Sequence, residues 1–337
     1  MFRVRIEGGA EFGCSGDDTL LRAGLRAGLG MPYECNAGSC GACKVELLGG
    51  SVASNWDAAP ALGERDRAKN RVLACQSVPR TDCTIKARLR EEFRARDLPR
   101  RFRASLAAMR DLTHDMREFS FRVEGAPGFR PGQYALFDLE GVPGGWRAYS
   151  MANVDDGSGE WQFQVKRVPG GAGSAVLFDR LAHGADIGID GPYGHAWLRT
   201  DSPRDIICIG GGSGLSAVMS IARGAAAQSA LAEREVHFFY GARGPRDVCG
   251  EDMLAQLPGY GVRIHYHPVI SMPSAIERDT WQGRTGFVHD AVREAFGDRL
   301  AGFEFYFAGP PAMAQAVQSM LAANKVPHAQ IHYDSFY

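Results

Sequence analysis

Three cysteines within nine residues, Cys35-Asn-Ala-Gly-Ser-Cys40-Gly-Ala-Cys43, require the chain around them to wrap a metal centre. Cys75, in Leu73-Ala74-Cys75-Gln76, supplies a fourth thiol. The spacing C-x4-C-x2-C with a distant fourth ligand is that of a plant-type [2Fe-2S] cluster. Zinc is the rival, but zinc ribbons and knuckles are usually built from two short C-x2-C hairpins with ordinary turns between them. Here one loop carries three ligands, and Gly38 and Gly41 let its backbone curl so that N–H groups face inorganic sulfide.

The rest of the chain is too long for one core. Its 337 residues predict two or three domains, and 45% hydrophobic with 23% charged residues is a globular composition. A formal net charge of −1 provides no basic field to recruit phosphate, which argues against a nucleic-acid partner. Met1-Phe2-Arg3-Val4-Arg5 alternates like a strand and no 18-residue apolar run follows, so neither a signal peptide nor a membrane span is expected. A cytoplasmic protein is the expectation. Cys14, Cys83, Cys208 and Cys249 are scattered, two of them in apolar runs, and read as buried free thiols.

Three units follow from the patterning. Residues 1–90 hold a strand with Val4 and Ile6, a hairpin partner beginning at Phe12, a helix through Leu20, Leu21 and Leu25 capped from Asp17-Asp18-Thr19, and the cysteine loop. Strands at Lys44–Leu48 and Cys83–Ala87 complete this unit. Residues 91–99 are a linker. From Lys86 to Arg103 the chain has eight basic residues against three acids, which makes either a solvated linker or a docking strip for an acidic electron acceptor.

Residues 100–200 change to strands with Gly and Pro between them: Met116, Phe119, Phe121 and Val123, then Trp161, Phe163 and Val165, then Ile187 and Ile189. A small antiparallel barrel is expected. Within it Arg147-Ala-Tyr149-Ser150 offers the functions a flavin needs: a guanidinium for phosphate, a ring to lie against the isoalloxazine and a small hydroxyl. Arg147 and Ser150 share a face only if the strand kinks. Gly170-Gly171-Ala172-Gly173-Ser174 opens a helix through Leu177 and Leu181, suited to a pyrophosphate.

Residues 201–337 read as a doubly wound α/β unit with a mainly parallel sheet. Strands are expected at Asp205–Ile209, Val236–Tyr240, Val262–Tyr266 and Phe303–Phe307, with helices at Leu215–Ala227 and around Glu251, His289 and Pro311. Gly210-Gly211-Gly212-Ser213-Gly214 departs from G-x-G-x-x-G because Leu215 stands at its third glycine, yet it still joins a strand end to a helix N-terminus. Gly309 and Pro310 let a nicotinamide approach the backbone. Arg243 can hold a 2′-phosphate, but no second basic residue adjoins it in sequence, so NADH is expected over NADPH.

The order strand, hairpin, helix, ligand loop, strand and distant fourth cysteine resembles the plant-type ferredoxin, a β-grasp fold. Arg147-x-Tyr149-Ser150 ahead of the Gly-rich helix start, with the G-G-x-G turn, resembles the ferredoxin-NADP reductase superfamily. That resemblance implies FAD binding by Arg147, Tyr149, Ser150, Val165, Lys166, Gly171, Gly173 and Ser174, and nucleotide binding by Gly210 to Gly214, Arg243, Gly309 and Pro310. Two departures stand out, Ser216-Ala217 where a proline is usual and Ala308 where a cysteine is usual. A terminal aromatic often covers the flavin in this superfamily, which implies a displaceable lid at Phe336 or Tyr337.

Across its length the chain is similar to the reductase components of bacterial multicomponent oxygenases. Pro32-Tyr33-Glu34-Cys35-Asn36, Lys69-Asn70-Arg71 and Asn324-Lys325-Val326-Pro327 most resemble the reductases of toluene monooxygenases. The implied function is electron transfer from NADH through FAD and [2Fe-2S] to an oxygenase component or Rieske ferredoxin, in a monomer. The alternatives are the reductase of a Rieske ring-hydroxylating dioxygenase and, in another class, a non-catalytic redox carrier or sensor.

Overall fold

The computed structural model describes residues 1–142 and 145–334. Its chain forms three sheets in succession. In the first, Glu11–Cys14, Phe2–Ile6, Cys83–Lys86, Lys44–Gly49 and Arg71–Leu73 lie side by side in that order. The first and last strands in sequence, Phe2–Ile6 and Cys83–Lys86, pair in parallel at the centre. One helix, Leu20–Arg26, covers the sheet with Leu20, Leu21 and Leu25 against Val4, Ile6 and Phe12. Its start is fixed as expected from sequence, because the Thr19 hydroxyl accepts the Arg22 amide.

The second sheet is antiparallel throughout: Trp146–Ser150, Tyr134–Asp138, Asp186–Tyr193, Arg100–Thr113, Met116–Val123 and Glu160–Lys166. A bridge between Met151 and Phe163 joins its two outer strands, so the sheet closes on itself as a barrel. Phe121, Phe137 and Phe163 fill the interior edge to face, with centroids 4.6–6.0 Å apart. The Gly-rich segment begins a helix of only one turn, Ala172–Ala175, followed by a wider turn over Val176–Arg180.

The third sheet is parallel: Arg284–Thr285, Ile264–Ile270, Val236–Ala242, Asp205–Gly211, Phe303–Ala308 and Ile331–His332. Helices Leu215–Ala227, Val288–Phe296 and Pro311–Ala323 connect its strands. The strand expected at Val262–Tyr266 runs instead over Ile264–Ile270. Val262 is 80% exposed in the turn before it, an apolar residue that belongs to no core. All eight cysteines are free thiols, and of the four scattered ones Cys249 is half-exposed rather than buried.

Among the described residues no helix is long and apolar enough to cross a membrane.

Candidate functional site

Cys35, Cys43 and Cys75 are buried and Cys40 half-buried in a loop whose curl requires left-handed backbone at Asn36 (φ 51°), Gly38 (φ 95°) and Gly41 (φ 79°). Its amides point inward. The N–H groups of Ala37 and Cys40 both donate to Cys35 Sγ at 3.4 Å. Cys35 is drawn down to about 5, first by its bond with the Cys40 thiol, against burial, and then by these amides. Cys43 bonds likewise to Cys75, which with burial pushes the Cys43 thiol up. The four sulfurs are therefore two pairs, Cys35 with Cys40 and Cys43 with Cys75.

That pairing tests which metal centre fits. A single tetrahedral zinc with bonds of about 2.3 Å would hold all four sulfurs roughly 3.8 Å apart. Among the described residues, neither set of three or more ligating atoms within 4.8 Å of one another contains a cysteine. Two separated pairs suit two irons instead. The buried Asn36 Nδ2, which has no hydrogen-bond partner, adds a donor of the kind a bridging sulfide accepts.

The strand Trp146–Ser150 pairs with Tyr134–Asp138 in unbroken register, Tyr134 opposite Ser150 and Phe137 opposite Arg147. It does not kink, so Arg147 shares a face with Tyr149 and Ser150 turns to the other. Tyr149 packs on Phe137 at 4.8 Å, and burial pushes its hydroxyl up to about 12. A methyl at Gly173 would stand 3.2 Å from Arg147 Cγ and 3.3 Å from the Tyr149 hydroxyl, so the Gly-rich turn closes directly over these two side chains. Gly171 is as confined, with Val168 Cβ at 2.8 Å from such a methyl. Ser174 is occupied within its own loop, accepting the Val168 amide at 3.0 Å and donating to the Gly171 carbonyl at 3.1 Å.

Val165 is buried in the barrel, while Lys166 Nζ leaves it to pair with Asp115 at 2.9 Å. The Lys166 stem lies beside Gly212, with Cδ 3.5 Å from the position of a methyl there. Gly212, Ser213 and Gly214 make one tight turn between the strand Asp205–Gly211 and the helix Leu215–Ala227. A methyl on Gly214 would fall 2.0 Å from the Ala308 carbonyl oxygen, and one on Gly211 2.6 Å from Met313 sulfur. Gly309 completes the crossing, its own added methyl only 3.2 Å from the Gly211 carbonyl oxygen. Pro310 caps the helix Pro311–Ala323. The strand carrying Gly210 and Gly211 and the strand end at Ala308, Gly309 and Pro310 thus form one block of backbone.

Arg243 follows the strand Val236–Ala242 and pairs with Asp247 at 3.2 Å and Asp115 at 3.4 Å. Lys166 and His114 share the same two carboxylates, so the fold brings the second cation that the sequence lacked, along with two acids. Asp115 is held below the usual carboxylate range: burial opposes ionisation, but the bond and charge of Lys166 prevail.

A small cavity between barrel and parallel sheet is lined by Ser150, Ala308, His332 and Asp334. The tail is anchored there by His332 Nε2 on Glu304 at 2.6 Å and by the His195 amide on Asp334 at 3.3 Å. Burial pushes the Asp334 carboxyl up to about 7. The expected lid residues, Phe336 and Tyr337, lie outside the described residues.

Two sets of contacts had no clear sequence signal. On the helix Leu215–Ala227, Ser216, Ser220 and Arg223 form one stripe facing the barrel. Ser216 donates to the Ser150 carbonyl at 2.6 Å and accepts the Gln164 amide at 3.1 Å; Ser220 donates to Asn153 at 2.7 Å; Arg223 donates to Ala152 at 2.9 Å. Polar residues at i, i+4 and i+7 in an apolar helix were the available hint. On the other side of the barrel, the Tyr134 hydroxyl donates to the Glu34 carbonyl at 2.6 Å, next to Cys35. Asp190, fully buried, receives Arg26 at 2.8 Å, Arg101 at 3.3 Å and the Tyr193 hydroxyl at 2.7 Å.

The basic strip is exposed except at Arg101, and four of its arginines also touch the domains it joins. Arg94 donates to Gly28, Arg96 lies over Trp197, Arg100 donates to Gly125 and Arg101 joins Asp17, Asp18 and Asp190.

The chain matches three families in sequence: the 2Fe-2S iron-sulfur cluster binding domain over residues 4–80, the oxidoreductase FAD-binding domain over 103–197 and the oxidoreductase NAD-binding domain over 208–319. It is 40% identical to the ferredoxin–NAD(P)+ reductase CarAd of Metapseudomonas resinovorans over the full length of both. It is 36% identical to the ferredoxin–NAD+ reductase component of the alkene monooxygenase system of Xanthobacter autotrophicus, covering 99% of this chain and 100% of that one. Among solved structures it is similar to the ferredoxin reductase in carbazole 1,9a-dioxygenase, with a TM-score of 0.92 and 37% identity over 100% of this chain and 98% of that one.

Proposed function

Since this chain belongs to the ferredoxin–NAD(P)+ reductase components of multicomponent oxygenase systems, an oxidoreductase family with [2Fe-2S], FAD and NAD domains, we propose that it carries electrons from NADH through FAD and the cluster to an oxygenase component or Rieske ferredoxin. When bound, flavin and cluster together supply the conversion of a two-electron hydride donor into single electrons.

The residues divide that task. Cys35 with Cys40 and Cys43 with Cys75 would hold the irons, and the Ala37 and Cys40 amides, which donate to Cys35 Sγ, would stabilise negative charge there. Arg147 would neutralise flavin phosphate and Tyr149 would offer its ring to the isoalloxazine, while Gly173 lets the backbone close over both side chains. The turn Gly210 to Gly214, with Gly309 and Pro310, would receive the dinucleotide at the C-terminal ends of the parallel strands. We set the domain limits at 1–90, 100–200 and 201–337, with 91–99 as linker.

The observation that carries the reading is the hydrogen bond from Tyr134 to Glu34. Tyr134 stands opposite Ser150 in the flavin strand, and Glu34 precedes Cys35, so one side chain joins the two redox segments. An anaerobic NADH titration followed by visible absorbance and EPR tests it. The expected result is three electrons per chain, two on flavin and one on the cluster; flavin bleaching with no cluster signal would refute the relay.

NADH is preferred over NADPH because Asp115 and Asp247 surround Arg243, and a 2′-phosphate would have to displace them. Asp115→Asn should lower the ratio of kcat/KM for NADH to that for NADPH. The acceptor belongs to a dioxygenase or a monooxygenase system: a carbazole dioxygenase reductase and an alkene monooxygenase reductase both align along essentially the whole chain, and the toluene monooxygenase likeness has no special standing beside them. A cytoplasmic monomer with no nucleic-acid or membrane partner fits a chain that draws on the NADH pool and has a net charge of −1.

A further inference from the structure

At the end of the parallel sheet opposite the nucleotide turn, a second group of ligating side chains gathers on one face. Glu235, His237 and Phe239 alternate along one strand and its lead-in, and His265 and His267 along its neighbour, where His237 and His265 are register partners. One ligand atom from each of Glu235, His237 and His265 lies within 4.8 Å of the others. Glu235 reaches His237 Nε2 at 3.1 Å, and the His237 ring is stacked on His265 with centroids 5.1 Å apart and 20° between planes. A second carboxylate is close, since Asp205 accepts the Glu235 amide at 2.9 Å.

The surroundings make imidazole an unexpected choice. His237 packs against Phe296 and Phe303, and His267 is stacked on Phe239, so these positions belong to an aromatic layer. Phenylalanine would fill that layer without polar atoms. Instead His237 Nδ1 and His267 Nε2 are buried with no hydrogen-bond partner, a cost that packing alone does not return. A cation would take His237 through Nε2, the nitrogen that already meets Glu235, with the His265 ring stacked alongside.

We infer that Glu235, His237 and His265 form a binding site for a divalent transition-metal ion of the zinc class, with the fourth position left to water. Two imidazoles and one carboxylate are a borderline donor set, too nitrogen-rich for magnesium or calcium and without the thiolate that selects copper(I). Coordination at about 2.0–2.1 Å requires the donors to close to roughly 3.4 Å, within reach of side-chain rotation because Glu235 is half-exposed. The ion would clip two adjacent strands at their N-terminal ends, away from the glycine turn at the C-terminal ends, and so would act on stability and leave turnover alone.

The experiment uses the holoenzyme, whose four cluster cysteines are already occupied. Equilibrium dialysis against zinc chloride with metal analysis should find one zinc per chain beyond the cluster iron, saturating in the micromolar range and raising the melting temperature. Glu235→Gln, an exposed change that leaves the core intact, and His265→Gln should each weaken binding at least tenfold and abolish the thermal shift. NADH oxidation should be unchanged in both. Absence of saturable zinc, or zinc bound equally by wild type and Glu235→Gln, would overturn the assignment.

Discussion

The barrel has two neighbours and is joined to them by different chemistry. Toward the cluster unit the seam is ionic: Asp190 is fully buried and shared by Arg26, Arg101 and Tyr193, while Asp17 and Asp18 hold the other side of Arg101. Toward the parallel sheet the helix Leu215–Ala227 meets the barrel through two serine hydroxyls and one guanidinium, which end on backbone groups and on the Gln162 side chain. Arg110 with Asp252 and Arg243 with Asp115 also pair on that side, each through a half-exposed guanidinium. Buried charge adds little net attraction after desolvation but penalises every misfit, whereas neutral hydrogen bonds to backbone hold with less sensitivity to alignment. The ionic seam therefore fixes where the cysteine loop sits; the hydroxyl seam fastens the helix Leu215–Ala227 to the end of the strand Trp146–Ser150.

The contrast breaks most sharply at Asp190. Asp190→Ala removes the fully buried carboxylate between Arg26 and Arg101, a loss of about 3 kcal/mol in urea unfolding, the low end for a broken buried pair because Asp18 still holds both guanidinium groups. In stopped-flow measurements NADH should still reduce flavin while cluster reduction slows by an order of magnitude or more; equal slowing of both steps would refute the division between seams. Ser216→Ala is the matching change on the other side. It strands the Gln164 amide and the Ser150 carbonyl, costs about 1–3 kcal/mol, and should slow flavin reduction while leaving the flavin-to-cluster step alone.

Tyr134→Phe is subtler, since the ring still packs and only the 2.6 Å bond to Glu34 goes. About 0.5–1.5 kcal/mol is expected, with a few-fold slower cluster reduction and an unchanged flavin rate. The smallest effect is at Asp334, beside the tail. Its carboxyl is raised to about 7, so its contribution to stability is full below the ordinary carboxylate range and is lost as pH rises through about 7. Melting temperatures at pH 5 and pH 8 should therefore differ less in Asp334→Asn than in the wild type.

The same contrast explains what could be read from sequence. The cluster loop was legible because its ligands are close together and their spacing is dictated by iron chemistry. The helix Leu215–Ala227 was legible to the residue from its apolar period. Ser216 was visible as a missing proline and as one polar residue of three on an apolar helix, but not as a contact, because the groups it bonds lie 66 and 52 residues earlier. Arg26 and Asp190 are 164 residues apart, and nothing local marks either as half of a buried pair. The basic strip is solvated as its charge suggested, with Arg94, Arg96 and Arg100 exposed, but sequence did not show that Arg101 is drawn in to Asp18 and Asp190. Ser150 was grouped with Arg147 by chemistry, and the regular pleat of the strand separated them.

Gly214 bears on motion. With the Ala308 oxygen where its side chain would be, the helix start and the neighbouring strand end are wedged together, leaving no slack for a hinge between them. Any opening that admits or releases the nucleotide must then swing the whole parallel sheet against the barrel as a rigid body, pivoting on the serine stripe rather than flexing at the glycines.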